Sequence, residues 1–259
     1  MTPIRIQGAT LTYLGDKAPI FSELNVEFNA ATWTAILGPS GCGKSTLLRY
    51  LAGLLSVKVD FRAAEFTPAL SELSGQVAYM AQQDLLLPWL SVIDNVCLAS
   101  RLNGNKVDDP TRQKALSLLE QVGLVERAAA KPAELSGGQR QRVALARTLM
   151  QDKPVVLMDE PFSALDAVTR HKLQALAAAL LKDKTVLLIT HDPQEALRLG
   201  EQILVMNGTP ARLHSIAPPK QAIPRSIDGE FAEIQQSILE HLARVPTDNT
   251  PGGSHDATR

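Results

Sequence analysis

Apolar and polar residues alternate with a period of two near the start of the chain, over Ile4 to Leu11 and again over Leu24 to Phe28. That rhythm buries one face of a strand, and Gly15 and Asp16 supply a turn between the two runs, so an antiparallel N-terminal sheet is expected. Thr32 to Leu37 reads as a buried strand that runs into a glycine-rich turn, followed by an apolar-rich helix over Leu47 to Leu55 and a short strand over Val77 to Met80. Ser56 to Gly75, between that helix and strand, has no clear period. Apolar residues then recur at helical spacing over Val92 to Leu102, Thr111 to Val122 and Ser136 to Met150, with Asp108-Asp109-Pro110 as an entry to the second of these helices.

Two continuous apolar runs, Val155 to Met158 and Val186 to Ile189, have the length of fully buried parallel strands, and the helical pattern of Thr169 to Lys182 lies between them. Strand, helix, strand implies a right-handed crossover. Glu201 to Met206 and Ala211 to His214 suggest a hairpin around Asn207-Gly208, and Gly229 to Leu242 is amphipathic at helical spacing. The stretch Thr247 to Arg259 is polar and rich in Pro, Gly, Ser and Asp, so disorder is expected there.

Composition narrows the class. Of 259 residues, 45% are hydrophobic and 20% charged, which excludes collagen-like, mucin-like and disordered chains. Lys plus Arg number 26 against 27 Asp plus Glu, so the net charge of -1 gives no bulk attraction to nucleic acid or anionic lipid, and no nucleic-acid partner is expected. The two cysteines, Cys42 and Cys97, form neither a disulfide framework nor a metal-ligand spacing, which suits a reducing compartment. Met1 to Ile6 lacks the features of a signal peptide, so the mature protein is expected to begin there. The most apolar runs fall short of the roughly 20 residues that cross a bilayer as a helix, so in any membrane process another chain would do the crossing.

The chemistry sits in short motifs. Gly38-Pro39-Ser40-Gly41-Cys42-Gly43-Lys44-Ser45-Thr46 satisfies the phosphate-loop pattern and lies between an expected strand and helix, where that pattern requires it. Its glycines let backbone N–H groups curl around phosphates, Lys44 neutralises the β and γ phosphates, and Ser45 offers a hydroxyl to Mg2+, so ATP and Mg2+ are the expected cofactors. Val155 to Glu160 is an apolar strand ending in two carboxylates. Asp159 would hold Mg2+, directly or through water, and Glu160 is the candidate general base on the attacking water. Leu135-Ser136-Gly137-Gly138-Gln139 opens a helix, where Ser136 can cap it or, with the following N–H groups, grip an anion; consecutive glycines weaken a plain cap and favour the anion. His191 follows an apolar strand and can reach a γ phosphate or a water, or serve structurally. Tyr13, 25 residues before Gly38, can stack on adenine or simply pack.

The phosphate loop, Gln82, Leu135 to Gln139, Met158-Asp159-Glu160, Ser163-Ala164-Leu165-Asp166 and His191 stand in the order that defines the ATP-binding cassette ATPases, and over Ile4 to Met206 the chain resembles that family. The resemblance implies an α/β fold: a phosphate-loop ATPase core with a mainly parallel sheet, an N-terminal antiparallel β-subdomain and an inserted α-helical subdomain. It also implies a head-to-tail homodimer, in which the phosphate loop of one copy and Ser136 to Gln139 of the other enclose ATP. On the same basis Gln82 senses the γ phosphate and Mg2+, His191 steadies the γ phosphate during the hydrolysis for which Glu160 is the base, Asp166 communicates across the dimer, and Tyr13 stacks on adenine. The implied division is an ATPase domain over 1–215 with the helical subdomain at about 89–135, a C-terminal extension with an amphipathic helix over 216–245, and a disordered tail over 246–259.

Gln82 to Val92, with Pro88-Trp89, resembles the corresponding segment of importer ATPases of the nitrate, sulfonate and taurine group, which includes carriers of a pyrimidine precursor for thiamine synthesis, and Ile223-Pro224-Arg225 before the last helix resembles that group too. This implies a peripheral subunit on the cytoplasmic face of the inner membrane that powers solute import through an integral permease, served indirectly by a solute-binding protein. An exporter-type ATPase and a soluble cassette machine are the alternatives. Two departures stand out: Ala31-Thr32 replaces the usual Gly-Glu, and Ser56 to Gly75 lacks the usual Gly-containing strand pair.

Overall fold

The structure is a computed structural model that describes residues 3–55, 59–102, 104, 107–226 and 229–243. The stretch 247–259, expected to be disordered, lies outside the described residues.

Strands β1 (Ile4–Tyr13) and β2 (Phe21–Phe28) pair antiparallel, with Ile4 opposite Phe28 and Leu11 opposite Phe21. Ile4, Ile6, Ala9 and Leu11 are buried; the alternation changes phase at Gly8, where φ is +59° and the register with β2 shifts. Strand β3 (Trp33–Leu37) leads into helix α1 (Lys44–Leu51), which starts three residues earlier than its apolar pattern suggests.

The aperiodic stretch does carry two strands, contrary to its reading as irregular. β4 (Val59–Arg62) and β5 (Glu65–Thr67) each pair antiparallel with β1, Val59 opposite Tyr13 and Thr67 opposite Arg5. With four and three residues they are too short to show a period, and neither contains glycine. Aromatic packing holds them: Phe61 stacks on Tyr50 of α1 with ring centres 4.1 Å apart, and Phe66 meets Phe61 edge-on at 5.8 Å. A one-turn helix, α2 (Leu70–Leu73), follows.

The second sheet adds β6 (Val77–Met80), β7 (Val155–Asp159), β8 (Thr185–Ile189), β9 (Gln202–Asn207) and β10 (Arg212–Ile216) to β3, in the order β10-β9-β3-β8-β7-β6. All neighbours are parallel except β10, which returns antiparallel along β9 through the turn at Gly208, whose φ is +90°. The fold is the mixed α/β arrangement that the sequence implied.

Both faces of this sheet are covered, which is why its strands read as unbroken apolar runs. Val155, Leu157, Leu187, Ile189, Ile36 and Met206 point to one face and pack with α1 and the first sheet. Val156, Met158, Val186 and Leu188 point to the other, against a helical layer. That layer contains α3 (Val92–Val96), α5 (Asp109–Gln121), α6 (Gly137–Met150) and α7 (Ala167–Leu180), while α4 (Leu98–Leu102), which follows α3, buries no residue. The helix expected over Val92 to Leu102 is broken at Cys97, where ψ is 5°. The expected entry to α5 is present, with the Asp108 carboxylate accepting from Thr111 N at 2.9 Å. At the β3 and β9 end, Ala35, Leu37, Ile203 and Val205 pack against α8 (Pro193–Leu199) and α9 (Gly229–Ala243) through Leu197, Phe231 and Ile238. Truncating one such side chain, as in Leu187→Ala, costs about 2–5 kcal/mol.

Candidate active site

β3 ends at Leu37, and the chain turns at once into α1 through Gly38 to Gly43. Two glycines have no substitute. A Cβ on Gly38 would lie 2.1 Å from the Met206 carbonyl oxygen of β9, and Gly43, at φ +104°, would thrust one to 2.5 Å from Ile20 Cγ2. Pro39, Ser40 and Gly41 are exposed at the tip of the turn. Cys42 lies half-buried and donates from Sγ to the Met206 carbonyl at 3.4 Å. Lys44 opens the helix and is 7% exposed; its ammonium donates to the Gly38 and Pro39 carbonyls at 2.8 and 2.7 Å. Among the described residues no carboxylate forms an ion pair with it, and its ammonium is held by loop carbonyls at the start of a helix. A buried cation at a helix N-terminus is an arrangement that suits an anion.

Asp159 ends β7 directly beside this loop and is 1% exposed. Burial pushes its carboxyl above the usual range, and the Glu160 carboxylate adds to the rise; a hydrogen bond from Ser45 and the charges of Arg49 and Lys44 oppose it. Among the described residues its buried Oδ2 has no hydrogen-bond partner. A desolvated, orphaned carboxylate oxygen beside a hydroxyl is a donor set that suits a hard divalent cation such as Mg2+.

Glu160 has a left-handed backbone, φ +49°, which costs a non-glycine residue about 1–3 kcal/mol and is held by its surroundings. Its N–H donates to the Ile189 carbonyl at 3.0 Å, and its own carbonyl accepts from Gln141 Nε2 at 2.9 Å and Ser163 Oγ at 3.0 Å. The side chain thereby meets two of the residues singled out in the sequence. Gln82 Nε2 donates to Glu160 Oε2 at 3.2 Å, and His191 Nδ1 lies 3.2 Å from the same oxygen. Gln83, its neighbour, makes no such contact among the described residues; it lines a cavity of about 390 Å³ with Gln82, Asp84, Leu85, Gly137 and Arg140.

Ser136 to Gln139 is arranged differently. The Gln139 N–H donates to Ser136 Oγ at 3.2 Å, and Gln139 Oε1 accepts from the Ser136 N–H at 2.8 Å, a reciprocal cap on α6. Gly138 is required for packing, since a Cβ would meet the Ala164 carbonyl at 3.1 Å, whereas a Cβ on Gly137 would meet nothing closer than an arginine tip at 3.9 Å. The helices that the two motifs open, α1 and α6, lie on opposite faces of the sheet. Tyr13 is half-buried, and its hydroxyl is 3.2 Å from Thr46 Oγ1 in the first turn of α1.

Sequence reading missed Gln141. It is 5% exposed on α6, with its amide bridging the Glu160 carbonyl and the Ala164 N–H at 2.9 and 2.8 Å. A glutamine inside an otherwise apolar helix face was the available signal. Asn95, fully buried, was missed likewise; it accepts from Leu87 N at 2.8 Å and donates to the Leu87, Leu90 and Ser91 carbonyls, fixing the segment after Gln82.

The model of the family described as ABC transporter matches residues 21–163. The chain belongs to the ABC transporter family. Within it, the chain is 44% identical over 243 residues to an uncharacterized ABC transporter ATP-binding protein of Haemophilus influenzae, covering 92% of this chain and 98% of that one. It is 40% identical to the taurine import ATP-binding protein TauB of Pseudomonas aeruginosa, over 89% of this chain and 91% of that protein. Among solved structures, a post-hydrolysis dimer of the ATP-binding cassette MJ0796 bound to ADP and Pi superposes with a TM-score of 0.69 at 28% identity, covering 86% of this chain and all of that one. This ABC transporter chain is an ATPase cassette.

Proposed function

We propose that this ABC transporter protein hydrolyses ATP to power import of a small solute through a separate membrane permease. The solute is a small organic anion, a nitrogen or sulfur compound, or a thiamine pyrimidine precursor, and the taurine import relative favours the second. The observation that carries the reading is the convergence of Gln82 and His191 on one oxygen of Glu160, next to the loop that buries Lys44.

In this reading the β and γ phosphates lie on the Gly38 to Thr46 loop, with Lys44 turning its ammonium from the loop carbonyls to phosphate oxygens. Asp159, Ser45 and Gln82 would hold Mg2+, which neutralises charge on the phosphate oxygens when bound. Water attacks the γ phosphorus while Glu160 accepts its proton; the bond to the β-phosphate oxygen breaks, and ADP and phosphate leave. His191 and Gln82 hold the accepting carboxylate in place. Tyr13, anchored at Thr46, stacks its ring on adenine.

The opposite-face arrangement of α1 and α6 supports a head-to-tail homodimer, because Ser136 to Gln139 then meet the nucleotide of a second copy. Trp89 is 68% exposed and Leu85 58%, and both are held from behind, Trp89 O by Lys131 Nζ at 2.8 Å and Leu85 O by Arg147 at 2.9 Å. Rigid, exposed apolar groups of this kind suit docking on a permease, and the segment 89–135 is the proposed docking subdomain of an ATPase domain over 1–215. No described helix is long and apolar enough to cross a membrane. In this reading the permease holds the protein peripherally on the cytoplasmic face, and a solute-binding protein acts at one remove. Affinity purification from gently solubilised native membranes tests this: a multi-span permease should co-purify, and recovery of soluble partners alone would sink the transport reading.

A further inference from the structure

The segment Ile223-Pro224-Arg225 is far from the phosphate loop in sequence, yet it is bound tightly to one short helix of the site. Arg225 is 4% exposed. Its Nη1 donates to the Leu197 and Gly200 carbonyls at 2.7 Å each, and its Nε donates to the Gln221 carbonyl at 2.7 Å. The main chain is tied at the same place: Arg225 N donates to the Arg198 carbonyl at 2.9 Å, and Arg198 Nη1 donates back to the Arg225 carbonyl at 2.7 Å. Leu197, Arg198 and Gly200 supply the last carbonyls of α8, groups that a helix cannot satisfy internally, and a cation there also suits the negative end of the helix.

The other end of α8 is the hydrolysis site. Asp192 caps it, accepting from Gln194 N at 2.9 Å, and its own N–H is held by Thr190 Oγ1 at 3.0 Å. His191 immediately precedes that cap. At seven residues and about 1.5 Å each, α8 is a strut of roughly 10 Å between the Arg225 clamp and His191. The His191 contact to Glu160 is 3.2 Å, so a small axial slip of the strut breaks it.

We propose that Arg225 is a positioning residue for ATP hydrolysis: by clamping the C-terminal carbonyls of α8 it sets the axial position of that helix, and so keeps His191 on the Glu160 carboxylate. The proposal rests on the role given to His191 under the proposed function.

A double-mutant cycle on the full-length protein tests it, with ATPase kcat and KM measured for wild type, Arg225→Gln, His191→Ala and the pair. Arg225→Gln is expected to lower kcat about 10-fold with KM for ATP nearly unchanged, and to have less than about a twofold further effect once His191 is alanine. Arg225→Lys, which keeps the charge and one point of contact, should recover part of the loss. Ile238→Ala, which loosens α9 in the same core, should lower thermal stability but leave kcat within about twofold. Equal losses from Arg225→Gln in both backgrounds, or an unchanged kcat in the folded variant, would overturn the proposal while leaving the role of His191 intact. A His191→Ala protein with wild-type kcat would instead overturn that role, and the proposal with it. Should Arg225→Gln not fold, the same cycle is run with Arg225→Lys, and the same additivity overturns the proposal.

Discussion

The two glycine-bearing turns that open α1 and α6 differ in what they leave over. At the first, Lys44 is buried with no ion-pair partner among the described residues, and Asp159 Oδ2 has no hydrogen-bond partner among them. At the second, Ser136 and Gln139 cap each other reciprocally, side chain to main chain in both directions. The first turn is incomplete without an anion and a cation; the second is a finished helix cap that stays accessible at Gly137. The contrast separates two kinds of glycine turn: one whose folding leaves polar capacity unspent, and one that folds as ordinary capped structure and, under the proposed function, meets a nucleotide only in a second copy.

The sharpest way to break this contrast is at the phosphate end. Glu160→Gln keeps the size of the side chain and removes the proton acceptor, so ATPase rate should drop about 10²–10⁴-fold while ATP binding persists and dimers accumulate with ATP. Monomers alone under those conditions would count against the composite site.

Next comes burial behind that end. Glu195 is pushed up to about 7, mainly by burial, with hydrogen bonds from Thr190 and Gln174 and the charge of Arg170 pulling the other way and Asp192 adding to the rise. Because its folded pKa lies above the usual 4.5, this carboxyl favours the folded state fully below that value, and the advantage is lost as pH rises towards 7. Chemical denaturation should show Glu195→Gln lacking a decline in stability on the order of 3 kcal/mol that wild type shows between those limits. Parallel curves for the two proteins would remove Glu195 from the account.

Lys44→Ala should weaken ATP binding by about 1.5–3 kcal/mol, roughly 10- to 100-fold in Kd by calorimetry; unchanged affinity would put the phosphates elsewhere. The smallest effect belongs to the second turn. Ser136→Ala removes a cap worth about 1 kcal/mol, seen as a Tm lower by a few degrees. If the second turn also contacts nucleotide from another copy, this substitution will depress ATP-driven dimerisation beyond what so small a loss of stability accounts for.

Much of this was legible in the sequence because the signals were local. The phosphate loop needs only nine consecutive residues and a strand before it, and the buried parallel strands announce themselves as apolar runs. The α5 cap likewise lies within four residues, Asp108 to Thr111. What escaped depends on contacts across long separations. β4 and β5 exist because β1 offers an open edge and Tyr50 a stacking partner, neither of which a three- or four-residue window contains. Gln82 and Gln83 look alike in sequence, and only the bond from Gln82 to Glu160, 78 positions away, tells the two apart. Gln141 and Arg225 look like ordinary polar residues until burial and backbone carbonyls give them a task.

The strand order also dictates when the protein can form during synthesis. β3, which delivers the phosphate loop, pairs on one side with Val186 to Ile189 and on the other with Gln202 to Val205. At about 5–20 residues per second, the ribosome needs roughly 8 to 30 s to supply the first of these partners after β3 has emerged. For that interval an apolar strand with both edges open, Trp33–Leu37, must be kept from pairing with other chains. Nascent chains truncated before Thr185 should therefore be prone to aggregation, and the phosphate loop can acquire its shape only near the end of translation.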